Sequence, residues 1–178
     1  MSKKKTPSCC LVIDASVSRA AGSLESKHPN GTRCREVLQA VRSICHRMAW
    51  SPEIKAEWDR HQSAFARTWL VSMMNLKKLR SVKDAESEPF REAILNHVSE
   101  EQVREIIVKD QHLIEAAFAT DYRVLSLDET VRGHLGRLAS HFEQLRAVIW
   151  ANPIREELID WLEEGAPVEE ARQLGGWS

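Results

Sequence analysis

The sequence predicts an α/β fold: a three-layer α/β/α sandwich around a mainly parallel central sheet. Two observations predict it. Short apolar runs (CLVID at 10–14, YRVLSL at 122–127, LRAVIW at 145–150) alternate with longer segments of helical periodicity, and that alternation places helical crossovers between parallel strands. The chain of 178 residues, 43% hydrophobic, is also long enough to bury the core that such a sandwich needs within one domain.

The first strand, 10–14, ends in Asp14 and is followed by a loop of small and polar residues, ASVSRAAGSLESKHPNG, in which Pro29-Asn30-Gly31 signals a turn. Thr32 is placed to cap a helix carrying Val37, Leu38, Val41, Ile44, Cys45 and Met48. A comfortable sheet needs a fourth strand, and 47–51 is the best candidate. Ser51-Pro52-Glu53 then starts a helix, with a hydroxyl at the cap, proline at the first position and an acid in the first turn. Ile54, Trp58, Phe65, Trp69, Leu70 and Met73 carry it into the high 70s. KKLRSVKDAESE reads as an exposed connection. Pro89 opens a short helix, Ser99 with Gln102 makes a capping box for another, and a further helix runs from Asp110 to about 120. Residues 130–142 read as helix, and Asn152-Pro153 starts one that ends at Gly165, before a last turn at Pro167. The expected organisation is a flexible basic tail at 1–8, an α/β domain at 9–152 and a helical extension at 153–178 packed on it.

A net charge of −1 excludes a global basic field, so any nucleic-acid contact must be a local patch. No apolar run approaches the ~20 residues of a membrane span, and CCLVI is too short for a signal-peptide core. A cytoplasmic location without a membrane partner is therefore expected. Cys9, Cys10, Cys34 and Cys45 make neither a CxxC pair nor a zinc spacing, and a structural disulfide is not expected.

Four acids stand where apolar elements stop. Asp14 follows Leu11-Val12-Ile13, and Asp128 closes the run Val124-Leu125-Ser126-Leu127. Asp110 shares a helical ridge with Leu113, Ile114, Ala117 and Phe118, and Glu57 adjoins Trp58. Each has an ordinary explanation by itself: Asp110 and Asp128 as helix caps or first-turn acids, Asp14 as a turn residue, Glu57 as a solvated helix acid. Together they suggest a site for a hard divalent cation, since unpaired buried carboxylates are costly and oxygen ligands suit Mg²⁺ and Mn²⁺.

LVIDAS, the glutamate in SPEIKAEW and DQHLIEAAFATDYRVLSLDE together resemble the PIN-domain family of metal-dependent nucleases over roughly residues 10–130. The resemblance implies a PIN-like fold and Mg²⁺- or Mn²⁺-dependent hydrolysis of RNA phosphodiesters. Asp14, Glu57, Asp110 and Asp128 take the places of the acidic quartet, with Ser16 and Ser126 at its hydroxyl positions. Arg19, Lys27, Arg33 and Arg35, in or just after the loop following Asp14, are the candidate phosphate contacts. The partners this reading admits are RNA, a protein inhibitor (the antitoxin of a toxin–antitoxin pair) and a second copy of the chain in a homodimer. Asp121 is an extra acid before the strand at 122–127, and the C-terminal extension has no assigned role. The alternative is a non-catalytic PIN-like module that binds RNA or protein. A phosphatase of the haloacid-dehalogenase kind falls behind both, because it wants D-x-D where this chain has Asp14-Ala15-Ser16. His61, one turn from Glu57, lacks the HExxH pattern of a zinc site and reads as a surface or core residue. Trp58 and Trp69, eleven residues apart, read as core.

Overall fold

A computed structural model of the chain describes residues 7–176. Residues 1–6 of the expected basic tail lie outside the described residues; Pro7 and Ser8 are exposed. The elements are β1 (Cys10–Ile13), α1 (Ala15–Ala20), α2 (Pro29–Ser43), β2 (Arg47–Trp50), α3 (Pro52–His61), α4 (Ala64–Asn75), β3 (Leu79–Ser81), α5 (Glu88–His97), α6 (Glu101–Phe118), β4 (Arg123–Leu125), α7 (Glu129–Ala139), α8 (Glu143–Arg146), β5 (Ile149–Ala151) and α9 (Ile159–Glu163). Two 3₁₀ turns, Glu170–Arg172 and Leu174–Gly176, follow.

The five strands form one all-parallel sheet in the order β3-β2-β1-β4-β5, flanked by helices as a three-layer α/β/α sandwich. β1 lies in the middle. The chain runs outward from it through β2 to β3, then crosses back to place β4 on its other side, so the β1/β4 boundary is the topological switch point. Ligands of open parallel sheets bind outside the carboxyl ends of the strands at that point. β1 is buried along its whole length, as expected of a central strand covered on both faces. Among the described residues no helix is long and apolar enough to cross a membrane.

Several expected boundaries move. The strand at 47–51 is present as β2, but LRS at 79–81 is a fifth strand rather than connection. The long helix from 52 breaks in two: Gln62 turns to an extended backbone, and the Ser63 hydroxyl accepts from Ala66 N to cap α4. Pro29-Asn30-Gly31 opens α2 rather than preceding it, since proline at the first position suits a helix start. Gly31 is required there because a Cβ would stand 2.9 Å from the Ala20 carbonyl oxygen at the end of α1. α1 itself lies within the supposed loop. The two helices expected around 99–120 are one, α6, with Glu100 as its N-cap. In the C-terminal region α9 is short, and Asn152 instead folds the chain back, its Oδ1 accepting from Ile154 N.

Cys34 is buried in α2, whereas Cys45 lies beyond the helix and half-buried.

Candidate active site

The site is assembled at the switch point. Asp14 extends the β1/β4 ladder by one rung, its N–H donating to Leu125 O at 2.9 Å. It is also the residue preceding α1, but its carboxylate does not cap that helix. Instead Asp14 Oδ2 accepts from Ser16 Oγ (2.5 Å) and from the fully buried Ser126 Oγ (2.7 Å). Both hydroxyls are used a second time: Ser16 Oγ accepts from Leu127 N, and Ser126 Oγ accepts from Asp128 N at 3.1 Å. The loops after β1 and β4 are thereby stitched together through one carboxylate.

Asp128 is the N-cap of α7, with Oδ1 accepting from Val131 N at 2.9 Å. Asp110 is neither a cap nor a first-turn acid, because it lies within α6, half-buried. Glu57 comes from α3, which is pinned to the sheet by the buried Trp58: its Nε1 donates to Ile13 O at 2.8 Å, one residue before Asp14. The four acids line one cavity of about 130 Å³, together with Ser16.

Crowding of charge is visible in the proton affinity of Asp110. Burial, reinforced by the charges of Asp14 and Glu57, pushes its carboxyl up from 3.8 to about 6, against the pull of Lys109. Glu57 moves the other way: its neighbour His112 holds the carboxyl below the usual range in spite of burial. For His112, burial works against the charged ring, but Glu57, then Asp110 and Asp14, outweigh it and raise its pKa above the ordinary value.

The basic residues divide. Arg19, exposed, lines the cavity. Lys27 is exposed on the loop and outside the cavity lining. Arg33 donates to Ile154 O at 2.7 Å and pairs with Glu157. Arg35 is buried, donating to Ala21 O (2.7 Å), Ser26 O (2.5 Å) and Thr32 Oγ1 (3.1 Å), so its guanidinium holds the loop after α1 together rather than facing a ligand. Asp121 belongs to the opposite pole, where its Oδ2 accepts from Cys10 N at 2.7 Å at the start of β1.

Lys109 and His61 also line the cavity and were not singled out as site residues by the sequence. The signal for Lys109 is its place beside Asp110. His61 is four residues after Glu57 on α3, on the same face.

The donors are carboxylate and hydroxyl oxygens, the set that hard divalent cations prefer. Among the described residues no three His, Cys, Asp or Glu side chains are disposed to hold a metal ion as they stand. The acids surround a common space, and Asp110 holds its proton more tightly there because of burial and the neighbouring acids. Comparison of the chain with protein-family models, with curated proteins and with solved structures found no match.

Proposed function

We propose that the chain is a cytoplasmic, metal-dependent endoribonuclease of the PIN-like kind that its sequence resembles. The observation that carries this reading is the meeting of Asp14, Glu57, Asp110 and Asp128, from four separate parts of the chain, around one cavity at the switch point, with Asp110 pushed up to about 6 by burial and, after it, by the charges of its neighbours. These residues would hold Mg²⁺ or Mn²⁺. Such an ion supplies a nucleophilic water of lowered pKa and neutralises charge on the phosphate.

The chain's own residues do the rest. Ser16 and Ser126 fix the orientation of Asp14, and Val131 N fixes Asp128. Asp110 would hold the ion as a carboxylate, with its proton released. Arg19 and Lys109 at the cavity wall offset the acids and attract the phosphate backbone. RNA as substrate rests on the sequence resemblance.

A second reading, a non-catalytic RNA- or protein-binding module, draws on a specific observation. Asp128 caps α7 and Glu57 pairs with His112, so two of the acids have work to do without a metal.

Cleavage of a mixed single-stranded RNA pool with Mn²⁺, by the wild type and by Asp110→Asn, with and without EDTA, separates the two. The nuclease reading expects cleavage by the wild type and a loss of at least about 100-fold, roughly 2.7 kcal/mol of barrier, in both the variant and the chelated sample. Equal cleavage by the variant would assign the activity elsewhere. A wild type that neither cleaves RNA nor takes up Mn²⁺ in calorimetry would leave the binding module.

A further inference from the structure

We propose that His112 is a positioning residue for this site, holding the Glu57 carboxylate in place from outside the acid cavity; the proposal rests on the metal-dependent reading above. His112 is two residues beyond Asp110 on α6, so the two side chains leave the helix on different sides. Asp110 lines the acid cavity. His112 lines a larger cleft of about 620 Å³ beyond the carboxyl ends of β2 and β3, together with Ser51, Glu53 and Gln111. Glu57, projecting from α3, is the group they share. It lines the acid cavity, and its Oε2 stands 3.5 Å from His112 Nε2.

The state of that nitrogen carries the argument. The His112 side chain is only 12% exposed, and its Nε2 is buried without a hydrogen-bond partner. A buried polar atom in that condition is uncommon and calls for an explanation. Glu57 Oε2 is a few tenths of an ångström beyond hydrogen-bond range, so a small closure of α3 toward α6 joins them in a charge-assisted bond. Unanchored, a glutamate has three rotatable bonds and loses conformational freedom on binding a cation. Once that bond to His112 is made, the freedom is removed before a cation arrives, and Glu57 is held on the wall of the acid cavity. His112 lies outside the acid cavity's lining, so it is not a ligand itself.

The test uses the full chain as wild type, Asp110→Asn, His112→Ala, His112→Gln, Glu57→Gln and the Glu57→Gln/His112→Ala double variant. Mn²⁺ affinity is measured by calorimetry, and thermal stability in EDTA. Groups that orient metal ligands from behind change affinity about 10-fold or more when removed. The expectation is that His112→Ala weakens Mn²⁺ binding by about that factor, whereas His112→Gln, whose amide nitrogen reaches the place of Nε2, recovers most of it. In the Glu57→Gln background His112→Ala has little further effect on affinity, and the metal-free melting temperatures of the four proteins of the cycle are non-additive. Wild-type affinity in His112→Ala would overturn the proposal. So would an equal loss with and without Glu57, or additive melting temperatures, since either marks a merely structural histidine. Failure of the underlying reading has a different signature: no Mn²⁺ uptake by the wild type, or uptake undiminished in Asp110→Asn.

Discussion

At the scale of single residues, the site is a set of acids crowded into one cavity, and Asp110 bears the cost, first through burial and then through the charges beside it. Its carboxyl rises from 3.8 to about 6 on folding, so between those values the folded chain binds more protons at this position than the unfolded chain does. Stability therefore falls as pH rises through that window, and the penalty is complete above it. A shift of this size corresponds to about 3 kcal/mol, and screening at a half-buried site facing an open cavity reduces it to about 1–2 kcal/mol. Asp110→Asn keeps the shape and removes the charge. In EDTA, the variant is expected to be more stable than the wild type at pH 8 by about 1–2 kcal/mol, with the gap closing toward pH 4. Urea unfolding of both proteins at the two pH values measures it, and a variant less stable at pH 8 would show that the carboxylate is welcomed by its surroundings. Stabilisation without metal, accompanied by loss of Mn²⁺ uptake, is the mark of a group kept for binding rather than for folding.

At the scale of elements, α3 decides whether Glu57 reaches the site, and Trp58 decides where α3 lies. The ring is fully buried, lies 5.8 Å from Trp69 and 6.1 Å from Trp50, and donates from Nε1 to Ile13 O. Trp58→Phe retains an aromatic ring but leaves that carbonyl without its donor. A loss of about 1–3 kcal/mol in urea unfolding is expected, with Mn²⁺ affinity falling as α3 loosens; unchanged affinity would separate the tryptophan from the site. The acids themselves were legible because each interrupts an apolar pattern, and β1, β4 and β5 because strands covered on both faces read as apolar runs. β3 was not legible, since Leu79–Ser81 is an edge strand with two exposed residues and no such run. The break between α3 and α4 was hidden by apolar residues that keep their spacing across it, although Ser63, the cap, stands in the sequence. Arg33 and Arg35 looked free because their partners, Ile154 O and Glu157 for the first and the Ala21 and Ser26 carbonyls for the second, are brought to them by chain folding. Lys109, His61 and His112 were missed for a related reason: which side chains of α3 and α6 face the cavity depends on how those helices are rotated against each other.

At the scale of the whole molecule, the sheet has an open pole and a closed one. The carboxyl ends of the strands carry the acids, and the C-terminal segment closes the amino ends. There Arg123 donates to Ala166 O, Leu174 N to Val148 O, and the fully buried His46 joins β1 to α9. His46 Nδ1 accepts from Cys9 N at 3.1 Å, and Nε2 donates to Leu162 O at 2.7 Å, an arrangement that only the neutral ring satisfies. Burial, the leading cause, lowers its pKa below the ordinary 6.5, although the two backbone bonds oppose the shift. A depressed folded pKa means that the folded chain takes up fewer protons than the unfolded one as pH falls below 6.5. The stabilising contribution is thus whole above 6.5 and is lost on acidification through the folded value. Asp110 and His112 act in overlapping windows with the opposite sign, so the pH profile of the wild type alone does not isolate His46. The difference between two profiles does. His46→Gln is expected to be less stable at pH 7.5, because one amide cannot keep both backbone bonds. Its stability should nevertheless fall less steeply than that of the wild type between pH 7 and 5, by up to about 1.4 kcal/mol per pH unit, the limit for one proton. Parallel urea-unfolding profiles would mean that His46 takes up its proton in the folded chain as readily as in the unfolded one. The closed pole would then owe its acid sensitivity to some other group.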